Sequence, residues 1–142
     1  MMELSIKKLE RYELESALKL IWEVFLEFDA QDYTQEGIDE FFKSINDENY
    51  ISALTAYGAF LNEHLIGAIA TRNSGKHIAL FFVEGKNQHQ GVGKRLFETV
   101  RTDNMTVNSS PYAVPVYKRL GFLPVDAEQV VNGLRFTPMA LQ

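Results

Sequence analysis

Residues 81–97 of this sequence are FFVEGKNQHQGVGKRLF. The segment starts in an apolar run that is typical of a strand buried on both faces, passes through a loop with two close glycines, Gly91 and Gly93, and enters an amphipathic helix. A helix start offers backbone N–H groups without partners and a partial positive charge, and both attract anions. From position 85 onward the segment contains no acid but three bases, Lys86, Lys94 and Arg95. It therefore predicts an anion site at a strand–loop–helix junction.

Two familiar phosphate-binding motifs do not fit this segment. A P-loop requires Gly-x-x-x-x-Gly-Lys and then Ser or Thr, but the chain has Gln88 in place of the first glycine and Arg95 in place of the hydroxyl residue. The dinucleotide fingerprint Gly-x-Gly-x-x-Gly, started at Gly91, requires a third glycine where the chain has Leu96. The sequence thus argues against an NTPase and against a Rossmann-type dehydrogenase.

Two other motifs match one known family. The run Gln88-His89-Gln90-Gly91-Val92-Gly93 fits the pattern Gln/Arg-x-x-Gly-x-Gly/Ala between a buried strand and a helix. Downstream, a strand-end Asn108 precedes a helix that ends in Tyr-x-x-x-Gly-Phe, from Tyr117 to Phe122. Both motifs and the order of elements around them resemble the GNAT superfamily of acyl-CoA-dependent N-acetyltransferases.

The resemblance implies where acetyl-CoA, the cosubstrate, would bind. In that family the strand before the loop splays from its parallel neighbour at a bulge, and the pantetheine arm bonds to the exposed strand edge. Here the main chain of Phe82 and Val83 would offer those groups, and Asn108 would reach a pantetheine amide. The pyrophosphate would be wrapped by the backbone of Gln88, His89, Gln90, Gly91, Val92, Gly93 and Lys94.

Tyr117 is the catalytic residue that the resemblance implies. Acetyl transfer expels a CoA thiolate, and a nearby phenol can supply a proton to it as general acid. The alternative is a structural tyrosine that packs its helix on the sheet. A backbone N–H near Val83 is the natural donor to the oxyanion that forms at the thioester carbonyl. This chemistry needs no metal, and the three scattered histidines show no metal-ligand spacing.

The general base is left open by the sequence. An alkyl ammonium has a pKa near ~10.4 and must lose a proton before it can attack. Glu84 follows the thioester strand and His77 opens it, so both are candidates. Each is equally explained as a solvated residue at a strand end, and neither is assigned.

The hydrophobic pattern predicts a single domain over residues 1–142, of the α/β (α+β) class, with the order β-α-α-β-β-β-α-β-α-β-β. The strand–helix–strand unit at 77–108 requires a parallel pair with a right-handed crossover, whereas the other pairs are hairpins. The result is a mixed, mostly antiparallel sheet, and the resemblance implies a GNAT-like splay of the central parallel pair between flanking helices. The last strand, 134–141, is expected to leave an exposed edge, which makes it a candidate homodimer surface.

Two helices are predicted near the N-terminus, because apolar residues recur there every three or four positions. The first stripe is Leu14, Leu18, Ile21, Phe25 and Phe28. The second helix is expected to start at Thr34, with the stripe Ile38, Phe41, Phe42 and Ile45. Packing in the core is the expected role of these aromatic residues.

The net charge of −5 is unevenly distributed. Residues 20–48 carry nine acids and only one base, Lys43, which leaves +3 for the rest of the chain. An acidic chain is not held to nucleic acid by bulk charge. In the family these two helices border the acceptor side of the cleft, so they would favour a cationic small-molecule or peptide amine there. The acids expected to face the cleft are Asp29, Asp32 and Glu36, although solvated outer helix faces explain the same pattern.

Composition narrows the class of protein further. The chain has no cysteine, which excludes disulfides, thiolate metal sites and cysteine nucleophiles. It has neither an apolar stretch of the ~20 residues that span a bilayer nor an apolar signal core near its start, so a cytoplasmic location without membrane partners is expected. Two alternatives to an enzyme remain: a non-catalytic module of the same fold that binds or senses acyl-CoA, and a protein-interaction domain without a ligand.

Overall fold

The computed structural model describes residues 3–142 and has the predicted mixed α/β architecture. Its strands are β1 (Leu4–Lys8), β2 (Thr55–Leu61), β3 (His64–Arg72), β4 (His77–Val83), β5 (Thr106–Ser109), β6 (Phe122–Pro124), β7 (Gln129–Val131) and β8 (Leu134–Leu141). Its α-helices are α1 (Arg11–Val24), α2 (Gln35–Ile45), α3 (Glu48–Ser52), α4 (Val92–Val100) and α5 (Val114–Arg119). The predicted order is confirmed, with α3 and β7 as additions. Both are too short to produce a periodic hydrophobic pattern.

The strands form one sheet in the order β1-β2-β3-β4-β5-β8-β6, with β7 paired to β8 beyond that path. Every neighbouring pair is antiparallel except β4 and β5, which are parallel and joined through α4. The strand β4 lies in the middle of the sheet, and apolar clusters cover both of its faces. This position explains its nearly continuous apolar sequence.

The parallel pair separates almost as soon as it forms. Only His77 and Ile78 of β4 have partners on β5. Opposite β3 the register shifts at the same point, because Thr71 faces Ile78 and Ala70 faces Leu80, which leaves Ala79 as an extra residue. Such a bulge bends its strand and interrupts the alternation of side chains. Accordingly Ala79 and Leu80 both contact the cluster under α1 and α2, and the edge of β4 beyond them is open.

Helix α1 ends in a π-helical turn, Phe25–Asp29, where the N–H of Ala30 donates to the carbonyl of Phe25. A π turn holds one residue more than an α turn, so it changes which side chains face inward. The predicted stripe is therefore wrong at its last member. Phe28 is half-buried against the Tyr112 ring, with ring centroids 5.2 Å apart, and Asp29 is the buried residue instead.

Helix α2 begins after Thr34, as predicted. Phe41 stacks on Phe25 with ring centroids 4.0 Å apart and joins α2 to the end of α1. The prediction that Phe42 is buried is wrong, because its side chain is 49% exposed and contacts Trp22 with a ring edge. One residue is about 100° of helix rotation, which turns Phe42 away from the face that packs on the sheet.

The last strand, β8, is not an edge of the sheet. It lies between β5 on one side and β6 and β7 on the other, and the ends of the strand order are β1 and β6. The predicted exposed edge at 134–141 is therefore wrong, and the homodimer surface that depended on it has no support. Within residues 3–142, no helix combines the length and the apolar character needed to cross a membrane.

A close backbone contact holds the β7–β8 turn against α2. A Cβ atom built on Gly37 of α2 would overlap the carbonyl oxygen of Gly133, and one built on Gly133 would lie 2.5 Å from the Gly37 nitrogen. Gly133 also has a positive φ of 81°, which L-residues with side chains rarely adopt. Two glycines thus let the hairpin pack directly on the helix.

We expect Gly37→Ala to destabilise the protein by about 1–3 kcal/mol, because the added methyl group must push the hairpin away from α2. In an exposed helix the same change would stabilise by up to ~1 kcal/mol through helix propensity. Urea unfolding measures the difference, and Lys43→Ala, an exposed change in the same helix, should stay within ~0.5 kcal/mol of the parent. If Gly37→Ala were more stable than the parent, the β7–β8 hairpin would have to move away from α2 with no loss of unfolding free energy, which would contradict this prediction.

Candidate functional site

Two adjoining cavities lie where β4 and β5 separate. The α4 cavity, of about 460 Å³, lies beside the loop and first turn of α4 and includes Gln88, Gly91 and Lys94. The α2 cavity, of about 340 Å³, lies beside α2 and the end of β3 and includes Glu40 and Arg72. Five residues line both cavities: Asp29, Phe81, Phe82, Ala113 and Tyr117. These residues mark the passage between the two cavities.

The register of β4 decides which main-chain groups face the opening. The N–H of Glu84 donates to the carbonyl of Ile66 on β3, at 2.8 Å. Because hydrogen-bonding direction alternates along an antiparallel strand, the N–H and C=O groups of Phe82 face β3, whereas those of Phe81 and Val83 face the opening. The opening therefore receives backbone groups from Val83 and Phe81, and the side chain of Phe82. The main chain of Phe82, which was predicted to face the opening together with that of Val83, is instead bonded to β3.

The loop after β4 is fixed by its own polar side chains. The Gln88 Nε2 donates to the Val83 carbonyl at 2.9 Å, and the Tyr112 hydroxyl donates to the Gln88 Oε1 at 3.2 Å. The Asn87 Nδ2 donates to the Glu84 Oε1 at 3.0 Å. These bonds tie the loop to the end of β4 and to the segment before α5.

The first turn of α4 borders the α4 cavity with backbone N–H groups. The first intrahelical bond runs from the Arg95 N–H to the Gly91 carbonyl, so the N–H groups of Val92, Gly93 and Lys94 precede it and have no intrahelical partner. Gly91 has a φ of 85°, and no heavy atom lies within 4 Å of a Cβ built on it. Three cations also line the cavity: Lys94, Arg101 and Arg119. The arrangement fits a ligand with phosphate groups.

Tyr117 reaches the passage from α5. Its side chain is 5% exposed, and its ring packs against Phe81 and Phe122 with centroids 5.9 and 5.5 Å away. Burial, and secondarily the charge of Asp29, raise the pKa of this phenol well above its usual value. Within residues 3–142 no group hydrogen-bonds the Tyr117 hydroxyl. The hydroxyl oxygen is not sealed from solvent, so it does not count as a buried polar atom without a partner. A protonated phenol therefore faces the passage and is free to donate.

Asp29 brings a carboxyl group to the same passage. Its exposure is 6%, and burial raises its pKa to about 6, an effect that the nearby Ser110 hydroxyl partly offsets and the charge of Asp32 reinforces. The π-helical turn places it there, because that turn buries Asp29 rather than Phe28. A carboxylate with a pKa of about 6 is mostly ionised at neutral pH and is still basic enough to accept a proton.

The two bases that the sequence left open lie elsewhere. Glu84 lines neither cavity, and its carboxylate is held by Asn87 and by Lys86, whose Nζ is 3.6 Å away. His77 lines the α2 cavity at the far end of β4, where its Nδ1 is 2.8 Å from the Thr106 Oγ1. Burial, and then the charge of Arg72, lower the pKa of His77, so the ring is neutral at pH 7.

Most of the residues predicted for the cofactor converge on the α4 cavity: Phe82, Val83, Gln88, His89, Gly91, Gly93, Lys94 and Tyr117. Three do not line it. Gln90 is exposed and donates to the Lys86 carbonyl, Val92 is buried in the core, and Asn108 lines the α2 cavity instead. Of the acids expected at the cleft, Asp29 lines both cavities, whereas Asp32 and Glu36 line neither.

Several residues of the site carried no usable signal in the sequence. Tyr33 and Ser110 lie beside Asp29, and the charge of Asp29 contributes, after burial, to a raised pKa of the Tyr33 phenol. Tyr112 and Arg72 complete the walls of the two cavities. Ser110 and Tyr112 stand inside the second motif, between Asn108 and Tyr117, and that proximity was the one clue to them. Tyr33 and Arg72 come from separate elements that meet this site only in the fold.

Comparisons with known proteins agree with this geometry. A family model for an acetyltransferase (GNAT) domain matches residues 29–142. A GCN5-related N-acetyltransferase from Rhodopseudomonas palustris is 17% identical with a TM-score of 0.84, over 100% of this chain and 98% of that chain. The PaiA N-acetyltransferase from Thermoplasma acidophilum, solved in complex with coenzyme A, is 18% identical with a TM-score of 0.76, over 99% of each chain. FeeM, an N-acyl amino acid synthase from uncultured soil microbes, is 17% identical with a TM-score of 0.70, over 99% and 91%. A search among curated proteins gave no match.

Proposed function

Because the chain belongs to the GNAT acetyltransferase family, we propose that it transfers an acetyl group from acetyl-CoA to a primary amine in a ternary complex. The observation that carries this proposal is the passage between the two cavities, which is lined by both Tyr117 and Asp29. One cavity suits a phosphate-bearing ligand, and the other suits an acceptor. Two substrates, one in each cavity, can then meet at the passage, where Tyr117 can donate a proton and Asp29 can accept one.

The residues of the α4 cavity fit coenzyme A. The free N–H groups of the first turn of α4 suit a pyrophosphate, and Lys94, Arg101 and Arg119 supply positive charge for the phosphates. The backbone of Val83 and Phe81 offers hydrogen bonds to an extended amide-containing arm. An acyl thioester bound there would supply an activated carbonyl and a thiolate leaving group.

In this proposal Asp29 accepts a proton from the amine, and Tyr117 donates a proton to the leaving group. Transfer forms a C–N bond and breaks the thioester C–S bond. Asp29 accepts a proton from the ammonium, which frees the nitrogen lone pair, and passes it to solvent. Tyr117 donates its proton to the departing sulfur, which leaves as a thiol, and the second proton lost by the new amide nitrogen restores the phenol. The net products are an acetamide, free CoA and one proton.

The experiment that tests the function is turnover of acetyl-CoA against a panel of amines, with release of free thiol as the readout. Thiol release that depends on the amine would support the proposal. Tight CoA binding by calorimetry without transfer to any amine would favour the alternative, a non-catalytic module that binds or senses acyl-CoA. Failure to bind CoA at all would contradict both functions.

A glycine pair provides a sharp test of the CoA site. Gly91 and Gly75 have nearly the same φ, 85° and 83°, and neither has a heavy atom within 4 Å of a built Cβ. We therefore expect Gly91→Ala and Gly75→Ala to destabilise the fold similarly, by about 1–2 kcal/mol each. Only Gly91→Ala should also weaken CoA binding, by about tenfold or more, because its methyl group enters the phosphate cradle. Calorimetric titration with CoA compares the two variants. Equal CoA affinities of Gly91→Ala and Gly75→Ala would contradict binding of the pyrophosphate at this loop.

A further inference from the structure

The α2 cavity contains a cation, Arg72, that no residue of the described part of the chain pairs with. Arg72, the last residue of β3, lines the cavity and is half-buried, yet within residues 3–142 it has no ion pair and no side-chain hydrogen bond. Arg135, which lines the same cavity, differs: it pairs with Glu128 at 3.2 Å and donates to the Asp32 carbonyl. A partly buried guanidinium without a partner is costly unless a ligand completes it.

Arg72 and Asp29 both line the cavity, beside positions that are well separated along β4. Arg72 is directly opposite His77, the first residue of β4, whereas the passage that Asp29 lines is bordered by Phe81 and Phe82. Four residues of strand separate His77 from Phe81, which is about 10–13 Å at ~3.3 Å per residue. The charge of Arg72 acts on His77 and Tyr50, whereas the charges that act on Asp29 come from other groups.

The lining of the α2 cavity has an aromatic and aliphatic part and a polar part. Phe41, Tyr50 and Phe82 line it from α2, α3 and β4, and this part accepts an apolar body. The polar part includes Ser44, Asn108 and Glu40, whose carboxylate accepts a hydrogen bond from Asn132 at 3.4 Å. Asp29 at the passage and Arg72 at the far end of the neighbouring strand thus remain the charges available for a ligand that lies along β4.

Resting on the proposed function, we infer that the acceptor is an amine that also carries an anionic group, most simply a carboxylate, about 10 Å from the amino group. The ammonium end lies at Asp29, where it is deprotonated and acylated, and the carboxylate is bound by the guanidinium of Arg72. An extended chain of three residues with a free amino and a free carboxyl terminus has these dimensions at ~3.3–3.6 Å per residue. Plain polyamines do not, because they would place a cation at Arg72.

The test uses probes of one length and different far ends: 8-aminooctanoate, 8-aminooctanamide and 1,8-diaminooctane, with 4-aminobutanoate as the short carboxylate. An extended 8-aminooctanoate spans about 10 Å, close to the length of the cavity. Binding is measured by calorimetry on the protein saturated with CoA, and acetylation by thiol release. We expect 8-aminooctanoate to bind and react at least tenfold better than the other three, since a charge-assisted hydrogen bond to a carboxylate has about that effect.

The variants locate the effect. Arg72→Gln should reduce the preference for 8-aminooctanoate over its amide to about twofold or less while CoA affinity stays unchanged. Arg11→Gln, which removes an arginine that pairs with Glu48 away from both cavities, should retain the full preference. Equal binding of the carboxylate and the amide to the parent protein, or no binding of either, would overturn the inference. Transfer to other amines in that case would leave the proposed function standing, whereas preferential binding of 8-aminooctanoate with no transfer to any amine would contradict the function and support only the carboxylate site at Arg72.

Discussion

Replacing Tyr117 by Phe should lower kcat about 10²–10³-fold, the usual contribution of a general acid. The reason is local: the hydroxyl faces the passage without a protein partner, whereas the ring packs on Phe81 and Phe122 and is kept by the substitution. The affinity for CoA and the free energy of unfolding should therefore change little. Steady-state kinetics of thiol release, calorimetry with CoA and urea unfolding measure the three quantities.

The matched control for that substitution is Tyr12→Phe. Tyr12 lies on α1 with 75% of its side chain exposed and lines neither cavity, so losing its hydroxyl should leave kcat unchanged. Equal kcat values for Tyr117→Phe and the parent would remove Tyr117 from the mechanism. A large loss of stability in Tyr117→Phe would instead assign it the structural role that the sequence also allowed.

Replacing Asp29 by Asn should produce a protein that is less active but more stable. Kcat/KM should fall about 10²–10⁴-fold, because the amide cannot accept the proton of the ammonium. In the parent, kcat/KM should rise with pH through about 6, where Asp29 ionises, and this limb should be absent in the variant. The pH profile separates a base from a residue that only packs.

The stability gain follows from the sign of the pKa shift. The folded-state pKa of Asp29 is raised from 3.8 to about 6, so its ionisation favours the unfolded chain. The parent therefore loses stability as the pH rises from about 4 through about 6, and Asp29→Asn avoids that loss. At pH 8 the variant should be more stable by up to about 3 kcal/mol, a difference that disappears near pH 4.

Asp32→Asn is the control for both measurements. Asp32 is three residues away and lines neither cavity, so its substitution should change the activity and the unfolding curve only slightly. A loss of activity in Asp32→Asn as large as that in Asp29→Asn would mean that the acidic segment acts through its overall field. A destabilised Asp29→Asn protein would contradict the assignment of a strained, functional carboxylate.

The local patterns predicted much of this molecule correctly. The apolar run of β4, the glycines before α4 and the Tyr117–Phe122 motif were enough for the element order, the parallel pair and the family. Such features depend on neighbouring residues, because a helix start or a buried strand leaves its pattern within a few positions. The same reasoning found Tyr117 and most of the α4 cavity.

The predictions that were wrong all depended on how elements meet. Phe28 was expected in the core because helical periodicity was extended from Phe25 to Phe28, but a π turn changes that phase without any marker in the residue pattern. The edge assigned to β8 was wrong because strand order in a sheet is not sequence order. Phe42 was misplaced for a similar reason, since only packing decides which of two adjacent aromatics faces the core.

The sequence by itself determined the strand–loop–helix junction and the family, because backbone geometry and glycine chemistry act over a few residues. Only the tertiary structure decided which acid lines both cavities and which arginine lines the α2 cavity without an ion pair among the described residues. Asp29, Tyr117 and Arg72 come from the end of α1, from α5 and from β3, separated by 43 or more positions. The bulge at Ala79 opens the sheet between them, and long-range packing of this kind has no signature in any one segment.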